Sequence, residues 1–149
     1  IKKFILKIPF FKTFTDHELT KLVGREKLFR DCKKGGYIFK EGDPGSALFV
    51  LLFGEIDLVK KGEGGKESII LKLKSGALFG EVAMLTGNKR NLDARASSAK
   101  VVVMEFNRKL IDRMIPSVQK KFEKQLLFII ATNLDKMNMR YAKLESSIK

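Results

Sequence analysis

The chain has 149 residues, 44% of them hydrophobic with twelve Phe, and a formal net charge of +13 from thirty basic and seventeen acidic side chains. That length and apolar content suit one domain with its own core, and no apolar run approaches the ~18 residues a bilayer span needs. The single cysteine, Cys32, allows no intrachain disulfide and fits a reducing cytoplasm, while one histidine beside one cysteine supplies no zinc ligand set.

In chain order, residues 1–29 read as a helical lead-in. Leu6, Phe10 and Phe11 precede a segment in which Leu19, Leu22 and Val23 keep helical spacing. Thr15-Asp16-His17-Glu18 has the form of a capping box, with Phe14 and Leu19 as its hydrophobic staple, which gives the only histidine a structural rather than a catalytic setting. Residues 1–14 lack a small-residue cleavage site. Cys32, flanked by Asp31, Lys33 and Lys34, reads as part of a surface turn.

Residues 30–107 break into short β-branched or aromatic runs at 37–39, 47–52, 55–60, 67–73, 94–96 and 101–106. Asp43-Pro44-Gly45 and Gly62-Glu63-Gly64-Gly65 separate them with turn chemistry. Many short strands at near-regular spacing predict a mainly β fold, an antiparallel roll or jelly roll with flanking helices. Residues 108–149 return to a helical period that must break or restart at Pro116. Along the last segment Leu127, Ile130, Leu134, Met137, Tyr141, Leu144 and Ile148 alternate steps of three and four, a heptad seam. Two readings follow: a homodimer along this helix, or one amphipathic helix docking on its own roll. The start at Ile1 rather than Met and the polar helical end lead us to expect a fragment of a longer protein, read here as a single domain over 1–149.

The segment with chemistry in it is Phe79-Gly80-Glu81-Val82-Ala83-Met84-Leu85, followed by Arg90 after Thr86-Gly87-Asn88-Lys89. An anion held there needs N–H donors, small residues that permit close approach and a guanidinium; Gly80, Ala83 and Arg90 are of those types. Glu81 would repel a bare phosphate and makes sense if the ligand also offers a hydroxyl, as a ribose phosphate does. Gly65-Lys66 lacks the upstream glycine and the following Ser or Thr of a nucleoside-triphosphate loop.

These residues resemble the phosphate-binding cassette of the cyclic nucleotide-binding domain family of catabolite activators, kinase regulatory subunits and nucleotide-gated channels. In that cassette Phe-Gly-Glu is followed by an Arg nine positions beyond the Glu, here Arg90 after Glu81. Gly36, Ile38, Glu41-Gly42-Asp43, Gly45, Phe49, Gly54, Ile56 and Leu58 match the family's glycine-bounded strands, and Ile8-Pro9-Phe10-Phe11 its lead-in, so the likeness covers nearly the whole chain. It implies a non-catalytic regulatory module without a cofactor. Arg90 would hold the cyclic phosphate and Glu81 the ribose 2′-hydroxyl. Gly80 with the N–H groups of Val82 and Ala83 would complete the cradle, and Asn91 and Leu92 would adjoin it. Leu71, Leu73 and Val103 are implied around the base, with Thr132 or Asn133 on the covering C-terminal helix. Binding would be reported by movement of that helix to an effector or dimer partner.

The cassette departs from the family where Lys89 replaces the frequent Pro and Asn91, Leu92 and Asp93 replace small residues. Asn91, being neither Thr nor Ser, tilts the expected ligand toward cAMP over cGMP. The same departures support the alternative, a degenerate roll that serves as a protein-interaction or dimerisation module. A third reading, docking to anionic lipid or nucleic acid through the net charge, predicts steep salt dependence and indifference to Arg90. The basic residues are spread along the chain, which favours a solvated surface instead.

Overall fold

Local chemistry sets the N-terminal elements. In the computed structural model, which describes residues 2–24 and 28–148, helix α1 spans Lys2–Leu6, Pro9–Phe11 forms a 3₁₀ turn, and helix α2 spans Asp16–Val23. The capping box forms as expected. Glu18 N–H donates to Thr15 Oγ1 at 3.1 Å, and Thr15 N–H donates to Glu18 Oε1 at 2.8 Å, so two N–H groups that an α-helix leaves unpaired find partners. Phe14 and Leu19 are both buried. Thr15→Ala removes one of these acceptors and should lower unfolding stability by about 1 kcal/mol, read as a shift of the urea midpoint at unchanged slope.

Eight strands follow: β1 (Phe29–Lys33), β2 (Tyr37–Phe39), β3 (Ala47–Phe53), β4 (Ile56–Lys61), β5 (Glu67–Leu73), β6 (Leu78–Phe79), β7 (Asp93–Ala96) and β8 (Lys100–Asn107). They form two four-stranded antiparallel sheets, in the orders β1-β8-β3-β6 and β2-β7-β4-β5. This is the expected antiparallel β-roll. Between the sheets Phe49 and Leu51 of β3, Ile56 of β4 and Val101 and Val103 of β8 share one buried cluster with Ile38 and Phe79. Alternate residues of the first sheet face the N-terminal elements, where the Phe11 and Phe106 rings lie 6.4 Å apart. The β4–β5 hairpin closes at the glycine-rich turn, with Gly62 N–H donating to Lys66 O at 2.7 Å.

Two expectations change. The helical lead-in does not reach residue 29, because Phe29 opens β1; the junction at 25–27 lies outside the described residues. Cys32 is in that strand and not in a turn. It pairs in register with Val101 and packs, half-buried, against the cluster between the sheets. β6, a two-residue strand, was not expected at all.

Helix α3 spans Glu81–Thr86 and α4 spans Arg108–Asp112. The helical period restarts where the sequence requires it, with Pro116 as the first residue of α5, Pro116–Ile148. The chain divides into two compact units, one ending at Met114 and the other beginning at Ile115. Within α5, Leu127, Leu134, Met137, Tyr141, Leu144 and Ile148 of the heptad seam are exposed and Ile130 is half-buried.

Candidate functional site

Phe79, the last residue of β6, pairs in register with Phe49 of β3, and their rings stack at 5.3 Å. The chain must then turn sharply into α3. Gly80 does this at φ 79°, ψ 4°, a left-handed conformation that other residues adopt at a penalty. A Cβ on Gly80 would also lie 3.0 Å from Arg90 Nη1 and 3.1 Å from Phe49 Cδ2, so the position excludes a side chain for two reasons. α3 ends at Gly87, whose N–H donates to Ala83 O at 2.9 Å.

The segment after α3 is tied to the 40–45 turn. Arg90 N–H donates to Asp43 O and Gly42 N–H donates to Arg90 O, both at 2.8 Å. That backbone pair aims the Arg90 side chain inward. Nη1 donates to Gly80 O and Nη2 to Ala47 O, each at 2.7 Å, so one guanidinium joins the entry of α3 to the start of β3. Its Cζ sits 4.3 Å from the Phe39 ring centroid and 5.7 Å from that of Phe49, an attraction between cation and ring faces. Arg90 is only 5% exposed, and its buried Nε has no hydrogen-bond partner among the described residues. Gly45 lies over this nitrogen, so close that a Cβ there would overlap Arg90 Nε and Cζ and come within 2.9 Å of the Ala83 methyl.

Among the described residues no carboxylate forms an ion pair with Arg90. Burial lowers the Arg90 pKa from its ordinary value, against the pull of Asp43, Glu105 and Glu81. Burial likewise raises the Glu81 carboxyl above its usual range, opposed by a hydrogen bond from its own backbone N–H and by the Arg90 charge. A half-buried carboxylate held near a buried cation is suited to accepting a hydrogen bond from a neutral donor such as a hydroxyl. Asp93 has a structural task. It is buried, Oδ1 accepts from Glu41 N–H at 2.7 Å, and Oδ2 lies 3.5 Å from Lys61 Nζ. Asp43 Oδ2 likewise accepts from Lys40 N–H at 2.9 Å within the turn.

The sequence of the cyclic nucleotide-binding domain family matches residues 29–117, a stretch that includes all eight strands and α3. The chain belongs to this family. Within the family's reach it is similar to cGMP-dependent protein kinase 2 of Mus musculus, 26% identical over 149 residues and 95% of this chain. It is similar also to the cAMP-dependent protein kinase regulatory subunit of Mycosarcoma maydis, 30% identical over 66% of this chain. This chain spans 18% of the length of each of these two relatives. In fold it is similar to the Thermus thermophilus catabolite activator protein, with a TM-score of 0.78 at 24% identity, covering 92% of this chain and 63% of that one.

The cyclic nucleotide-binding fold brings Gly80, Ala83 and Arg90 together, with Glu81 beside them. Val82 is exposed on α3, Asn91 is exposed with its carbonyl accepting from Lys60 Nζ at 3.1 Å, and Leu92 is half-buried. Leu73 and Val103 belong to the cluster between the sheets, whereas Leu71 is exposed on β5. Thr132 and Asn133 lie on α5, in the second unit, where Thr132 Oγ1 donates to Phe128 O at 2.9 Å. Sequence reasoning passed over the surroundings of the guanidinium: the Phe39 and Phe49 rings, the Ala47 carbonyl and the Gly45 backbone. The two aromatics were legible as inward-facing strand positions. A carbonyl acceptor leaves no trace in residue type.

Proposed function

We propose that this chain binds a cyclic nucleotide in the roll and relays the event through α5 to an attached effector or partner subunit. Arg90 would neutralise the cyclic phosphate, Glu81 would accept from the ribose 2′-hydroxyl, and Gly80 with the Val82 and Ala83 N–H groups would complete the cradle. The observation that carries this reading is the buried Arg90 guanidinium, nine residues beyond Glu81, with Nε left without a partner among the described residues. A buried unpaired donor on a cation is a standing penalty that a phosphate oxygen would relieve. Kinship to proteins named for cAMP and cGMP dependence supports the ligand class, and Asn91 tilts the choice toward cAMP. The nucleotide would act by stabilising one of two states of the chain more than the other. The seam from Leu127 to Ile148 on α5, exposed at every position but the half-buried Ile130, supports a second copy pairing along that helix.

A specific observation favours a second reading. Arg90 already donates to Gly80 and Ala47 carbonyls and is covered by Gly45, as expected if the roll had become a self-satisfied interaction module.

Calorimetric titration of nucleotide-stripped protein with cAMP and cGMP separates the two, beside Glu81→Gln. Saturable heat with at least one nucleotide, weakened tenfold or more by Glu81→Gln, is the expected result. Absence of heat and of thermal shift with both selects the interaction module. The same variant has an opposite effect on the empty protein. Because the folded-state pKa of Glu81 is raised, its contribution favours folding below the unfolded carboxyl value and is lost as pH rises through the folded one. Glu81→Gln should therefore raise the urea midpoint at pH 7 and leave it nearly unchanged at pH 4.

A further inference from the structure

The outer face of the first sheet, away from the nucleotide cassette, is only partly covered. α1 reaches it with Phe4, and beyond that point Phe29, Leu52, Phe53 and Val102 line an apolar cleft of about 450 Å³. Phe4 and Phe53 are 55% and 50% exposed, more than a core contact would leave them. A basic pocket adjoins the cleft, because Asp31 and Lys100 line both, and the second adds Cys32, Lys33, Lys34 and Ala99.

Three features identify an occupant. Lys33 and Lys100 stand directly opposite each other across the β1–β8 pair, an arrangement that repels unless an anion lies between them. Among the described residues the side chains of Lys33, Lys34 and Lys100 have no hydrogen bond or ion pair, in a chain of net charge +13. Finally, β1 is the edge of its sheet, with a strand partner on one side only among the described residues. An edge strand offers backbone donors and acceptors in a row, which an extended peptide can pair with and an acyl chain cannot. Phe29, Asp31 and Lys33 alternate onto the cleft face, so a strand added at this edge would lay every second side chain over it. Asp31 in the middle of the cleft opposes a continuous phosphate backbone but can accept from a peptide N–H.

We infer that this edge is a docking groove for an extended acidic peptide of a partner protein, its apolar side chains seated between Phe4, Phe29 and Phe53 and its carboxylates on Lys33, Lys34 and Lys100. The groove is separate from the nucleotide cassette, and its occupancy does not depend on Arg90.

The test is fluorescence anisotropy with a fluorescein-labelled peptide of sequence DEFDLEFDE. Saturable binding is expected, weakened tenfold or more by Phe53→Ser and by the pair Lys33→Glu and Lys34→Glu, and unchanged by Ile70→Ser on the distant strand β5. Lys33→Glu replaces a repulsive cross-strand pair by an attractive one, so it should fold; a cooperative circular dichroism melt checks folding for each variant. Absence of saturable binding overturns the inference. So does equal affinity for DESDSESDE, which would reduce the groove to bare charge, or stronger binding to labelled oligouridylate, which would assign it to nucleic acid.

Discussion

Arg90→Ala should abolish cyclic nucleotide binding in calorimetry and lower unfolding stability by roughly 2–4 kcal/mol. The stability loss follows from the geometry of the guanidinium. Nη1 and Nη2 each donate at 2.7 Å to a carbonyl, Gly80 O on one side and Ala47 O on the other. A hydrogen bond to a charged group contributes about 1.5–3 kcal/mol, and truncation removes both of these donors. Loss of the contact with Phe39 and Phe49 adds to the effect. Arg90→Lys separates the two roles. An ammonium keeps the charge but cannot fork to both carbonyls, so stability should fall between wild type and Arg90→Ala, with nucleotide affinity reduced at least tenfold. Urea unfolding and titration of the three proteins decide the matter. Destabilisation with binding intact would move the phosphate off Arg90; lost binding with unchanged stability would show that the two carbonyl bonds contribute nothing net.

Part of the site was legible in the sequence and part was not. The spacing from Glu81 to Arg90 was legible through its resemblance to the family's cassette; in the structure α3 and a return loop occupy those positions. The burial of Arg90 was hidden. Its neighbours Lys89 and Asn91 are exposed, and residue type alone does not show that a backbone pair with Asp43 turns the side chain inward. The strands tell the same story. The run Leu48-Phe49-Val50-Leu51-Leu52, buried on both faces, announces β3 unaided. β1, Phe29-Arg30-Asp31-Cys32-Lys33, is mostly charged, so no alternation of apolar and polar residues marks it; it is a strand because β8 offers it a partner. Helix ends were legible wherever a side chain closes them, as Thr15 and Glu18 do, or wherever Pro116 forbids any other start.

The same contrast between what a glycine signals and what its surroundings demand gives the other large expected effect: Gly54→Ala should destabilise the roll by about 3–5 kcal/mol, against roughly 1 kcal/mol for Gly64→Ala. Both glycines have positive φ, 92° and 70°, so each substitution carries the left-handed penalty. They differ in what surrounds them. Among the described residues a Cβ on Gly64, in the β4–β5 hairpin, meets nothing within 4 Å, whereas one on Gly54 would overlap the Lys100 carbonyl oxygen and lie 2.7 Å from Ser98 Oγ and 3.0 Å from Val101 Cγ2. None of those neighbours is free to retreat. Ser98 Oγ accepts from Glu55 N–H at 2.8 Å and donates to Lys100 O at 3.1 Å, and Ser97 N–H donates to Glu55 O at 2.9 Å. These bonds stitch the β3–β4 turn to the β7–β8 turn, and each of those turns carries the chain from one sheet to the other. An added methyl must therefore part the two crossovers or break their hydrogen bonds. Equilibrium urea unfolding of both variants makes the comparison directly. A midpoint for Gly54→Ala close to that of Gly64→Ala would mean that the crossovers yield without loss, and that backbone conformation alone sets the need for glycine at position 54.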